Sequence, residues 1–363
     1  MSLNVITIIS KSYLPWARAL SQQLSSTNKD ASLTVFLADK PDGLFEPSKE
    51  NFHMIALSEF FPISKLQAMT GYYSAYEFCN ALKPYAHLYS AQILKFESWV
   101  YLDSDTIILN DLTELVQQSK KQSILLCPHL LKAAPGTQYL ESIEVGILRA
   151  GVYNGGCLAL SNTQTTQDFL IWWRDRLIFN CLANEPGLEA DQSWLNFVPV
   201  FFSDTHISRD PTLNIAYWNL AERPLTLRDG KVYTKGLPVK FMHLSGWDWR
   251  NPIVPNKHIN VELGSSKEAW DAVVKKLHTQ LISCGIETCS SWPYSFGQFP
   301  QKARRLYLEE CKKHPDSSNV EEALNFYVSK LTNESKLSWK QRAKEIAILL
   351  GFRRLKRILK NNL

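Results

Sequence analysis

Apolar residues fall along this chain in short uninterrupted runs, and between the runs they recur at helical spacing. Asn4–Ser10, NVITIIS, is one such run and predicts a buried strand. KSYLPWARALSQQL follows, with Leu14, Ala17, Leu20 and Leu24 at three- and four-residue intervals and Pro15 suited to a first helical turn. LTVFLAD, residues 33–39, predicts a second buried strand ending on Asp39. Strand, helix and strand in such close succession imply parallel neighbours joined by a right-handed crossover.

The alternation continues. Residues 54–61 predict a third strand entering a loop, and 72–94 one or two helices interrupted near Pro84, with Lys83 and Tyr85 flanking the break. Trp99–Asp111, WVYLDSDTIILND, holds two apolar runs with Asp103, Ser104 and Asp105 between them. LTELVQQ then predicts a short helix and SILLCPHL a strand. In GVYNGGCLALS, Asn154, Gly155 and Gly156 predict a tight turn before the strand CLALS. TTQDFLIWWRDRLIFNCL predicts an amphipathic helix burying Phe169, Trp172, Trp173, Leu177 and Cys181. EADQSWLNFVP places Asp191 and Gln192 at the entry to a short helix, and AERPLTLRDGKVYTKGLP predicts a hairpin. VKFMHLSGWDW, residues 239–249, predicts a strand that releases His243 and Gly246 at its end. SSKEAWDAVVKKLHTQLISCG has a clear helical period. The fold class expected is α/β, a mostly parallel sheet flanked by helices with a C-terminal helical extension. The expected domains are a main one over 1–260, an accessory helical region over 261–335 and a basic amphipathic tail over 336–363.

Composition adds little that is unusual. The chain's 363 residues are enough for one large α/β domain with an appendage, and 45% hydrophobic with 21% charged residues is ordinary for a soluble globular protein. A net charge of +5 is too mild to argue for nucleic acid as a partner. The N-terminal residues lack the features of a signal peptide, and no apolar run approaches the roughly 20 residues of a membrane span. The seven cysteines are scattered without a C-x-x-C pair, so reduced thiols and a cytoplasmic location are expected. The 11 tryptophans fit either core filling or sugar stacking. The tail sets Ile346, Leu349, Leu350, Phe352, Leu355 and Ile358 among many Lys and Arg residues. It suits peripheral binding to an anionic membrane surface, or a helix packed on the body with a solvated basic face.

Asp103 and Asp105 are the sharpest chemical feature. Two bare carboxylates at the end of a buried strand are costly unless they face a cleft, where a hard cation can hold both. The plain alternative is a turn whose Asp side chains accept from backbone amides. Similar pairs of readings attach to the N-G-G segment (hairpin or close approach to a ligand), to Asp191 (helix cap or active-centre acid) and to His243 (core residue or ligand).

Taken in order, the first strand with Ser10 and Tyr13, LKPYAHLYS, YLDSDTIIL, GVYNGGCLALS, EADQSWLN, NIAYWNL and FMHLSG resemble bacterial nucleotide-sugar glycosyltransferases of the GT-A (Rossmann-like) fold. They are similar in particular to glycosyltransferase family 8 and to enzymes of surface-polysaccharide synthesis. The resemblance covers about residues 3–250 and implies Mn²⁺ or Mg²⁺ held by Asp103, Asp105 and His243. It implies contacts to the nucleotide and donor from Ser10, Tyr13, Asp39, Lys83, Ser104, Gly155 and Gly246, and an active centre with Asn154, Asp191 and Gln192. This chain departs from the family where a lysine is usual after H-x-x-G; here the sequence is HLSGWDWR, and Arg250 is the candidate replacement.

The function expected is transfer of a sugar from a nucleotide sugar, a UDP-sugar, to a glycan or lipid-linked acceptor. A divalent cation and cationic groups would stabilise the departing diphosphate. The resemblance leans towards retention of anomeric configuration; with inversion, Asp191 would be the general base. Two other classes compete: a non-catalytic carbohydrate-binding protein on the same fold, and a sugar nucleotidyltransferase. The latter normally carries a glycine-rich phosphate loop after strand one, which SKSYLPWAR lacks.

Overall fold

A computed structural model of the chain describes residues 3–133, 138–183, 185, 187–296 and 299–313. The strands are β1 (Leu3–Ile9), β2 (Ala31–Leu37), β3 (His53–Ile55), β4 (Ser98–Leu102), β5 (Thr106–Ile108), β6 (Ile124–Pro128) and β7 (Tyr153–Ser161). They continue with β8 (Thr205–Ile207), β9 (Leu225–Arg228), β10 (Lys231–Thr234), β11 (Leu237–Pro238) and β12 (Phe241–His243). Seven form one sheet in the order β3, β2, β1, β4, β7, β6, β8. β1 runs parallel to β2 and β4, β2 to β3, and β6 to β8, while β7 is antiparallel to both its neighbours. The α/β architecture with a mostly parallel sheet is therefore as expected. The reversal of β7 brings its first residues to the edge where β4 ends.

Two compact units make up the described chain. The first comprises Met1–Phe60 and Cys79–Ser295 and contains the whole sheet. Alternate residues of β1, Leu3, Val5 and Ile9, share a core with Leu20 and Leu24 of the helix Leu14–Thr27. Phe36 of β2 points to the other face, where its ring meets Phe60 at 4.9 Å and Tyr89 at 5.9 Å. A separate core joins Trp270, Val273, Leu277 and Leu281 of the helix Lys267–Ser283 to Trp16, to Ile107 of β5 and to Met242 of β12. Each such side chain contributes roughly 1.5–3 kcal/mol by leaving water. That packing takes the first unit past the boundary expected near 260, to Ser295.

The second unit comprises, among the described residues, Phe61–Phe78, Phe296 and residues 299–313. Its helices Ile63–Tyr72 and Gln301–Lys313 meet at Gly71, where an added Cβ would lie 2.7 Å from the Tyr307 ring. The tail over 336–363 lies outside the described residues. Among those residues no helix is long and apolar enough to cross a membrane.

Several local expectations change. The third strand is only His53–Ile55 and gives way to a short helix, Leu57–Phe60. The strand expected over 239–249 keeps three residues, Phe241–His243, which pair with the equally short β5 and bridge to Ile215 through Met242. Trp172 is half-buried, whereas Trp99, Trp173 and Trp270 are core residues. The hairpin β9–β10 is present, with Asp229 and Gly230 at φ 49° and 72° supplying the left-handed turn.

The largest correction concerns N-G-G. No turn occurs there: Asn154, Gly155 and Gly156 lie within β7, which runs unbroken from Tyr153 to Ser161. The glycines are explained by crowding. A Cβ on Gly155 would stand 2.6 Å from Asp191 Oδ2, and one on Gly156 would stand 2.6 Å from His243 Cε1 and 2.7 Å from Asp103 Oδ2.

Candidate active site

β4 ends at Leu102, and the chain turns through Asp103, Ser104 and Asp105 into β5. The turn is held by Asp103 N–H donating to the Gly156 carbonyl at 2.9 Å and Thr106 N–H to the Asp103 carbonyl at 3.1 Å. β5 pairs antiparallel with β12, which sets His243 opposite Thr106 and beside Asp105. His243 Nε2 thus lies 3.2 Å from Asp105 Oδ1 and 3.9 Å from Asp103 Oδ2. One ligand atom from each of the three residues falls within 4.8 Å of the others.

This donor set fits a divalent cation. Two carboxylates and one imidazole converge there, and Asp103 and His243 come so close to Gly156 that a Cβ at that position would displace them. Burial opposes a charge on His243, but Asp105 and then Asp103 outweigh it and raise the imidazole above its ordinary value. His243 Nδ1 is buried and has no hydrogen-bond partner among the described residues, and the Trp218 ring stands edge-on to the imidazole at 5.6 Å.

Behind this cluster lies a second layer of charge. Lys83 opens the helix Lys83–Gln92 and is 2% exposed. Its Nζ is 3.0 Å from Asp191 Oδ2, 3.3 Å from Asp103 Oδ1 and 2.9 Å from the Gly155 carbonyl. The Gly155 carbonyl accepts a hydrogen bond from it, and the two carboxylates are its ion-pair partners. Lys83 is therefore a tether between acids. Asp191 precedes the 3₁₀ turn Gln192–Phe197 but its side chain caps nothing, so the helix-cap reading fails. Burial pushes its carboxyl up to about 6 against the opposing pull of Lys83.

Asn154 and Gln192 are spent on framework bonds. Gln192 Oε1 accepts from Gly155 N–H at 3.0 Å and Asn154 Nδ2 at 3.2 Å, while its Nε2 donates to the Ala150 carbonyl at 3.2 Å. Asn154 Nδ2 also reaches His129 Nε2 at 3.1 Å, and its Oδ1 accepts from Gly156 N–H at 2.9 Å. His129 Nδ1 lies 3.0 Å from the Val152 carbonyl, which fixes that nitrogen as the donor.

The remaining candidates have contacts of their own. Tyr13 is 46% exposed, near enough to Asp105 and Asp248 for their charges to act on its hydroxyl, and stacks on Trp16 at 6.3 Å. Ser10 Oγ pairs with Ser12 Oγ at 3.1 Å. The Asp39 carboxylate accepts from the backbone of Lys40 at 2.9 Å, Ser295 at 3.0 Å and Lys11 at 3.3 Å, so its acceptor sites are largely internal. Gly246, at φ 74°, is covered by Asn256. Arg250 lies over the Trp249 ring at 4.8 Å and is mostly solvent-exposed.

Three residues had escaped the sequence reading. Tyr101 donates to Asp103 Oδ1 at 2.6 Å, and strand alternation could have found it, since positions two apart share a face. Lys11 is fully buried between Asp42, at 2.5 Å, and Ser295 Oγ, at 2.7 Å, and nothing in its surrounding sequence signals this. His129 had no motif to mark it.

No known family profile matches the chain. Among curated proteins it is 24% identical to the uncharacterized protein YfnF of Bacillus subtilis (strain 168) over 258 residues, 68% of this chain and 82% of YfnF. It is 25% identical over 191 residues to YfnD of the same strain, 51% of this chain and 57% of YfnD. Among solved structures, the galactosyltransferase LgtC with donor and acceptor sugar analogues is 12% identical with a TM-score of 0.46, over 80% of this chain and 98% of LgtC. The apo glycosyltransferase GlyE of Streptococcus pneumoniae TIGR4 is 16% identical with a TM-score of 0.45, over 82% of this chain and 66% of GlyE. These likenesses are distant.

Proposed function

We propose that the protein is a metal-dependent glycosyltransferase that moves a sugar from a UDP-sugar to a hydroxyl of a glycan or lipid-linked saccharide. The observation that carries this reading is the convergence of Asp103, Asp105 and His243 at the strand edge, with Lys83 and Asp191 buried behind them. Crevices beyond the carboxyl ends of parallel strands are where open α/β sheets bind nucleotides.

Mn²⁺ or Mg²⁺ bound by Asp103, Asp105 and His243 would neutralise the donor diphosphate and the charge it gains as it leaves. The chain's own residues set that centre up. Lys83 compensates Asp103 and Asp191 so that neither carboxylate stands as an isolated buried charge. Asn154 and Gln192 lock the start of β7 against the 3₁₀ turn, holding Gly155 and Gly156 where their missing side chains let Asp191, Asp103 and His243 approach the strand. Tyr13 offers an exposed ring at the rim for a base to stack on. Retention of anomeric configuration fits better than inversion, because Asp191, the base an inverting reaction would use, is 3% exposed and bound to Lys83.

The test is a panel of nucleotide sugars assayed for hydrolysis and transfer with and without Mn²⁺. Activity is expected only with the metal, and Asp103→Ala or Asp105→Ala should lower it by at least about 100-fold, the loss of several kcal/mol of charge stabilisation. Undiminished turnover in both variants would refute the proposal.

A further inference from the structure

We infer that Tyr101 is a positioning residue that sets the Asp103 carboxylate so that one oxygen, Oδ2, is presented to the cation. This rests on the reading of Asp103, Asp105 and His243 as a metal centre.

Asp103 has two unequal oxygens. Oδ1 accepts from the Tyr101 hydroxyl at 2.6 Å and faces Lys83 Nζ at 3.3 Å. Oδ2 is turned the other way, 3.9 Å from His243 Nε2 and beside Gly156. Here the phenol occupies one side of Oδ1, so the pull of Lys83 alone does not decide the carboxylate's orientation. The same ring also bears on Lys83, whose ammonium lies 5.0 Å from its centroid. One side chain thus constrains both members of the ion pair.

The ring itself is fixed. Tyr101 lies in β4, 1% exposed, with the His87 imidazole 5.4 Å from it. His87 is held in turn by Trp99, whose indole N–H donates to His87 Nδ1 at 2.8 Å. Trp99, Tyr101 and Asp103 are alternate residues on one face of the strand and its extension, so the support is continuous from the core to the cluster. Groups that orient a metal ligand from behind typically change metal affinity by roughly 10- to 100-fold.

The full-length wild type, Tyr101→Phe and Asp103→Asn are titrated with MnCl₂, and free Mn²⁺ is followed by electron paramagnetic resonance. Tyr101→Phe keeps the ring and removes only the hydroxyl, so it should bind Mn²⁺ at least about tenfold more weakly with its circular dichroism unchanged. Binding equal to wild type in Tyr101→Phe, with loss in Asp103→Asn, overturns this inference and leaves the metal centre standing. Absence of Asp103-dependent binding in the wild type overturns both. Should Tyr101→Phe not fold, a protein carrying 3-fluorotyrosine at position 101 alone and titrated with Mg²⁺ supplies the second readout. Its fluorine resonance should shift as the cation binds, and an unmoved resonance in a protein that binds Mg²⁺ rejects the role.

Discussion

The ammonium of Lys83 stands 3.0 Å from Asp191 Oδ2, and both side chains are almost wholly shielded from water. A buried pair of this kind adds little beyond a well-packed apolar pair, but removing one partner leaves the other uncompensated, at a cost of about 3–5 kcal/mol. The two partners are not equivalent. Lys83→Met strands two acids, Asp191 and Asp103, whereas Asp191→Asn leaves Lys83 with Asp103 and the Gly155 carbonyl. Urea denaturation should show Lys83→Met destabilised by about 3 kcal/mol or more and Asp191→Asn by clearly less. Equal losses would mean that Lys83 does not bridge the two acids.

Glycine substitutions should separate site from scaffold. A Cβ at 156 would collide with His243, Asp103 and Asn154, at 2.6, 2.7 and 2.8 Å, so Gly156→Ala should lose divalent-cation binding while remaining folded. Gly146 lies in the helix Gln138–Ala150 with nothing within 4 Å of an added Cβ. Gly146→Ala should therefore stabilise by about 0.5–1 kcal/mol and leave cation binding alone. Isothermal titration and thermal melts of both variants check the contrast.

Acid stability follows from three buried groups. Burial lowers His87 to about 3 and His129 to about 4, from an ordinary 6.5. Between those values and 6.5 the unfolded chain binds protons that the folded chain does not, so each histidine takes up to about 1.4 kcal/mol of stability per pH unit as the pH falls. Asp191, raised by burial from 3.8 to about 6, works in the opposite sense, binding a proton in the folded state first. Two histidines outweigh one acid, so stability should fall on acidification from pH 6.5 to 4. Denaturation midpoints across that window should show a shallower slope in His129→Asn, and a slope unchanged by that substitution would contradict the assignment.

Much of this was legible in the sequence because it is local. Apolar runs gave β1, β2, β4 and β6, and D-x-D between two such runs marked the strand tip. What escaped depends on distant pairing. His243 reaches Asp105 because β12 pairs with β5 across more than a hundred residues, and only the resemblance linked them in advance. N-G-G supports both a turn and a close approach because glycine's conformational freedom and its small size leave the same trace in a sequence. At positions 155 and 156 it is size that matters, and the colliding atoms belong to Asp191, His243 and Asp103. The helix Gln138–Ala150 was not foreseen at all, although its residues have helical propensity.

Asp103, Asp105 and His243 as the holders of a divalent cation are tested most directly by anomalous diffraction from a crystal grown with Mn²⁺ and UDP. A single manganese peak within bonding distance of all three side chains, touching the UDP diphosphate, is the predicted result. Manganese bound elsewhere, or UDP bound with no ion among those three side chains, would contradict it.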